Sequence, residues 1–464
     1  MAQALTRALR HPLYLPPPAR PAIHTDLPAS ITLAVLAYAL LLASSYVALS
    51  PTPYTRANRL LRLLLLPPTL VLLSQIYLGH KAGDLEPWNE SGWGALGVIV
   101  GARACILAFG LFGRAGRLRW IGWGWYTRRE EGWWTTPAGQ DELKRFHAEV
   151  LRDAVPAAEE AAYPAWSPPR RILLAALFLA SPRHLGFSTA RPPSFYRHPA
   201  RPVRYHLSLL LACSTLCDAV ILLYARHAAF CTFELDPALR PRLADPLPPP
   251  YPSFLPAPLR AATHTLAVGL VIQSAMHLSH SSAALLSYAL LPRDLAARLP
   301  FPSLTLLAPF RLEAPSVRAF WSQAWHDVLS LDIAHVAYFP ILAALPPGAA
   351  AQALAVLSAF AFSGLLHGVS LDAVGIGSDY KRMLGLFVLQ GAAIVLEQAW
   401  ERMTGRKVGG RVGKVWTVAC VGASAAMLAE LYVSRGFLGF RRPFSPLGHL
   451  LRHLGYWPPV ISTL

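Results

Sequence analysis

AAQALAVLSAFAFSGLLHGV, Ala350 to Val369, is the stretch whose reading decides the fold. Its 20 residues are almost wholly apolar, and its single ionisable side chain, His367, lies near the C-terminal end. As a helix it matches the hydrocarbon thickness of a bilayer, roughly 30 Å. An ionisable group inside such a segment costs a few kcal/mol, so it faces protein or a water-filled cavity. Ser363 lies one turn back on the same helical face, placed to hydrogen-bond the imidazole. The plain alternative is a buried histidine that ties two helices together. We read His367 as functional.

The rest of the chain agrees with a membrane reading. Of 464 residues, 54% are hydrophobic and 14% charged, against about 25% charged in a soluble domain. Apolar runs recur at Ala29–Ser50, Leu60–Leu78 (broken by Pro67-Pro68), Trp93–Phe112, Tyr205–Phe230, Arg260–Leu291, Ile333–Leu345, Met383–Trp400 and Lys414–Val433. With the opening stretch they predict an all-α, polytopic transmembrane bundle of about eight or nine spans enclosing a reaction chamber. Residues 1–28, rich in Pro and Arg, read as an extended arm, and 29–464 as one membrane-embedded domain. A large polar loop at 113–204 interrupts it, and the short apolar run Ile172–Ala180 inside that loop is too brief to span. Arg103 falls within an apolar run and is expected to be paired or snorkelling.

The net charge of +17 comes without a compact basic module, which argues against nucleic acid. Arginines between apolar runs fit topology signals, anionic headgroups or a phosphate-bearing co-substrate. The five cysteines are too scattered for a disulfide framework or a metal site. His277 and His280 form an HxxH, but the chain has no His-His pair, which weighs against a membrane di-iron desaturase or hydroxylase. A transporter remains the non-enzyme alternative, although no paired or inverted repeat is visible.

The second informative stretch is SVRAFWSQAWHDVLSL, Ser316 to Leu331. Phe320, Trp321, Ala324, Trp325, Val328 and Leu329 recur at helical spacing and predict an amphipathic helix with one apolar stripe. By periodicity alone its tryptophans are membrane-surface anchors.

Together these residues resemble the membrane-bound O-acyltransferase family. FWSQAWH is similar to that family's FWxxxWH signature, and SGLLHG to the segment holding its histidine. RWIGWGW at Arg119–Trp125 and FVLQGAAIVLEQ at Phe387–Gln398 are similar to pieces of its wax-synthase-like branch. Trp120 departs from that branch's RGIGW pattern, and Gln323-Ala324 stands where many relatives carry a basic pair.

The resemblance implies that His367 and His326 are catalytic, that Phe320, Trp321 and Trp325 frame the site, and that acyl-CoA is the co-substrate with no permanently bound cofactor or metal. It also implies a lipophilic alcohol as acceptor and an endoplasmic reticulum location. The chemistry fits the residue types: an imidazole near neutral pKa removes a hydroxyl proton as oxygen attacks a thioester. No serine sits in a GxSxG elbow, so a direct transfer without an acyl-enzyme is expected. Arg311, Arg318, Lys381 and Arg382 flank the two stretches and are candidates for the phosphates of acyl-CoA, loop arginines being the ordinary alternative.

Overall fold

The computed structural model describes residues 27–50, 55–78, 87–112, 118, 137, 140–141, 168–180, 201–226, 257–290, 314–325, 329–373, 378–433 and 443–454. The N-terminal arm up to residue 26, most of the 113–204 loop, the Arg119–Trp125 motif, Arg311 and His326 lie outside the described residues.

What is described is helical. The helices are α1 (Leu27–Ala48), α2 (Arg56–Leu78), α3 (Pro87–Phe109), α4 (Pro168–Ala180), α5 (Val203–Arg226) and α6 (Ala257–Leu290). After them come α7 (Val317–Ala319), α8 (Ser330–Ile333), α9 (Phe339–Ala344), α10 (Ala349–Ala373), α11 (Tyr380–Thr404), α12 (Gly410–Val433) and α13 (Pro446–His453). Among the described residues, five helices are long and apolar enough to cross a membrane: α2, α5, α10, α11 and α12. Shorter apolar stretches, Thr32–Ala48, Ala95–Phe109 and Ser330–Ala344, lie in α1, α3 and the α8–α9 region. The protein is a membrane protein.

The helices pack as a succession of neighbours. α4 packs on α1, then come α2, α3, α10, α11, α12, α6 and α5, and α13 closes on α5. α10 and α11 form the most extensive pairing. Outward faces remain apolar, as lipid contact requires: Leu60, Leu64 and Val71 on α2 and Val412, Val415 and Val418 on α12 are all exposed. The tandem Pro67-Pro68 stays inside α2, with Thr69 donating its hydroxyl to the Leu65 carbonyl at 2.6 Å.

α4, which covers the short apolar run Ile172–Ala180, packs against the bundle. Leu174, Ala175 and Phe178 join Ala48, Ile106 and Leu107 in one core, and Ser45 donates to the Ala175 carbonyl at 3.3 Å. Thirteen residues suffice to reach this core, though not to span.

Arg103 is paired. Its Nε lies 3.1 Å from Asp332 Oδ1 and its Nη2 3.3 Å from Oδ2, while Nη1 donates to the Leu179 carbonyl at 2.6 Å. Both side chains are buried, so this two-point contact fastens α3 to α8. Asp332→Ala leaves a buried guanidinium without its main partner and should lower stability by about 3–5 kcal/mol. Adding Arg103→Met should restore a good part of that loss, and thermal unfolding in detergent measures both effects.

Candidate active site

The Ser316–Leu331 stretch does not form the continuous helix its periodicity predicts. Ser316 caps α7, accepting from the Ala319 N–H at 3.0 Å. The chain then widens into a π-helical turn at Phe320–Ala324, with the Trp325 N–H donating to the Phe320 carbonyl at 2.9 Å. Trp325 itself is extended (φ −100°, ψ 169°), so the helix ends there. The wider turn stacks Phe320 on Trp325 at 5.8 Å and 24°, a pairing that an α-helical stripe would not make at this spacing.

Two polar residues of α11 hold this segment. Glu397, buried, accepts from the Val317 and Arg318 N–H groups at 2.7 and 3.0 Å and from the Trp416 indole at 3.0 Å. Gln390 accepts from the Trp321 indole at 3.0 Å and donates to the Cys420 carbonyl and the Ser424 hydroxyl, at 3.0 and 2.6 Å. Phe387, Gln390, Ile394 and Glu397 recur at helical spacing on one buried face of α11.

His367 lies half-buried near the C-terminal end of α10. Its ring stacks on Phe387 at 4.7 Å and 12°, and its Nδ1 lies 3.2 Å from the Tyr432 hydroxyl on α12. The bond expected from Ser363 is thus made at Nδ1 by Tyr432, and Ser363 is half-buried one turn back. Phe387 also meets Trp321, at 6.2 Å, and Trp321 meets Trp325 at 6.3 Å. One phenyl ring therefore touches both the aromatic motif and the histidine.

The helices come together here because glycines leave room. A Cβ on Gly364 would stand 2.9 Å from the Leu384 Cα and 3.1 Å from the Met383 carbonyl, and one on Gly368 within 2.6 Å of the Tyr380 ring. The two glycines are four residues apart, the small-xxx-small spacing that lets membrane helices approach closely. Tyr380 closes this end by donating its hydroxyl to the Asp372 carboxyl.

The candidate cations do not gather at one place. Lys381 and Arg382 sit at the start of α11, near His367, and Arg382 Nε lies 3.4 Å from Asp379. Arg318 reaches Glu401 at 3.7 Å, near the other end of α11. Nineteen residues of helix separate Arg382 from Glu401, about 28 Å at about 1.5 Å per residue. Among the described residues no three His, Cys, Asp or Glu side chains gather to hold a metal. An apolar cleft of about 270 Å³ lies between α2, α3 and α10, lined by Leu70, Leu73, Gly101, Phe362 and Val369 among others. It opens on the face of α10 turned away from Gly364 and Gly368, and His367 is not part of it.

Residues 306–389 match the model of the membrane bound O-acyl transferase family. Over that segment the chain is similar to the membrane-bound O-acyltransferase family. The matched stretch holds Phe320, Trp321, Trp325, His326, His367 and Phe387. A search of curated proteins finds no match.

Sequence reasoning missed Tyr432, Gln390 and the role of Glu397. Gln390 and Glu397 carried a signal, since two polar residues one face apart in an apolar helix need partners. Tyr432, 65 positions from His367, carried none. Gly364→Ala would force backbone apart and should destabilise the protein by about 1–3 kcal/mol. Gly391→Ala, whose nearest neighbour is the Phe360 side chain at 3.2 Å and not backbone, should cost less. The order of their unfolding midpoints in detergent checks this.

Proposed function

We propose that the protein moves an acyl group, acetyl or long-chain, from acyl-CoA to the hydroxyl of a lipophilic alcohol. The acceptor is a fatty alcohol or a terpenoid-like secondary metabolite, as in the wax-synthase-like branch, and the site of action is the endoplasmic reticulum. The observation that supports this reading best is the Phe387 ring, which packs at once on Trp321 of the aromatic motif and on His367.

In this reading His367 is the general base. As the alcohol oxygen bonds to the thioester carbonyl carbon, the imidazole takes the hydroxyl proton, a contribution of about 10²–10⁴-fold. The carbon–sulfur bond then breaks, and the proton passes to the departing sulfur, giving the ester and free CoA. His326, next to Trp325 in the chain, donates to the carbonyl oxygen or positions it. Phe320, Trp321 and Trp325 shape the wall around the acyl group, with Ser363 beside it on α10. Of the cations, Lys381 and Arg382 stand at the His367 end of α11 and take the phosphates, while Arg318 stands at the far end, held by Glu401.

Membranes containing the protein, supplied with acetyl-CoA or palmitoyl-CoA and a panel of fatty alcohols and terpenols, should yield a new ester by mass spectrometry. His367→Ala should bind acyl-CoA and make no ester. An ester from the variant, or none from the native protein with any pair, rejects the reading. Lys381→Ala/Arg382→Ala should raise KM for acyl-CoA about tenfold with kcat nearly unchanged, whereas Arg318→Ala should not.

A further inference from the structure

A neutral imidazole accepts a proton at only one ring nitrogen, and which one is set by the bond the other makes. His367 has one ring nitrogen, Nδ1, at 3.2 Å from the Tyr432 hydroxyl. The ring plane is fixed independently, because Phe387 lies against it nearly parallel at 12°. Tyr432 is buried in the core shared by α5, α6, α10, α11 and α12, together with Leu371, Met383, Phe387 and Leu431. Its phenol therefore has little freedom to leave the contact.

From this geometry we infer that Tyr432 is a positioning residue, whose phenolic oxygen accepts the Nδ1–H of His367 and so makes Nε2 the nitrogen that takes the substrate's proton. The inference rests on His367 acting as the base. The opposite arrangement, with the phenol donating to Nδ1, would put the imidazole proton on Nε2 and block that nitrogen. Only the first arrangement allows a base whose plane is held by Phe387 and whose far nitrogen is held by Tyr432. As the imidazolium forms, the same oxygen keeps its donor and no group has to move.

Two measurements on the full-length protein in lipid nanodiscs test this. The first needs no substrate. In a solid-state ¹⁵N spectrum of histidine-labelled protein, the signal lost in His367→Ala belongs to this ring. It should show the proton on Nδ1, and in Tyr432→Phe it should show the proton on Nε2, the form a free imidazole prefers. A native ring protonated on Nε2, or one unchanged by Tyr432→Phe, overturns the inference.

The second measurement is kinetic, on the acyl-CoA and alcohol pair that gives ester. Phenylalanine keeps the ring that fills the core, so Tyr432→Phe should leave the unfolding midpoint and the acyl-CoA KM within about twofold of native behaviour. Its kcat per acyl-CoA-binding site should fall about 10- to 100-fold, the scale expected for a misoriented catalytic group. A kcat per site equal to native, or a loss that merely follows lost binding, also overturns it. Ester formation by His367→Ala would instead sink the assignment of the base, and the nitrogen spectrum would still stand or fall alone.

Discussion

The close approach of α10 and α11 is the constraint on which the site depends. Lipid tails are as apolar as leucine, so burying apolar surface against a neighbour gains little in a bilayer, and helices associate through short-range packing. That packing needs small residues, and Gly364 and Gly368 supply them where Leu384 and Tyr380 press in. Only at this separation does the Phe387 ring lie flat against His367. Gly391 repeats the device from the other helix, receiving the Phe360 ring two turns away.

Around this apolar contact the polar groups inside the bundle act as fasteners. Water is scarce there, so each needs a partner within the protein, and several of these partners join separate elements. Arg103 and Asp332 join α3 to α8. Asp218 of α5 accepts from the Phe444 and Ser445 N–H groups, both at 2.8 Å, and so anchors the start of α13. Glu397 takes the free N–H groups at the head of α7, where an acidic side chain also faces the positive end of the turn.

How much of this could be read in the sequence depended on the range of the signal. Helix positions follow from local apolar length, and the run Ala350–Val369 lies wholly inside α10, Ala349–Ala373. Arg103 announced that it needed a partner, because a guanidinium in an apolar run has few options. Nothing local named Asp332, which lies 229 positions away. The Ser316–Leu331 stripe misled for a different reason. A π turn inserts one extra residue per turn, so a pattern counted at 3.6 residues per turn slips after Phe320. Glycine spacing, by contrast, was present in SGLLHG and stood for packing as much as chemistry.

α12 occupies an unusual place in this arrangement. Near its start the Trp416 indole hangs on Glu397, with Gly413 letting the backbone pass directly against Pro315. At its end the Tyr432 hydroxyl meets His367. The outer side of the same rod, at Val412, Val415 and Val418, belongs to the lipid. Tilting a rigid rod about its middle swings its two ends in opposite directions, so both grips would be disturbed together. A tilt of α12 within the bundle would thus act on the aromatic wall and on the imidazole alike.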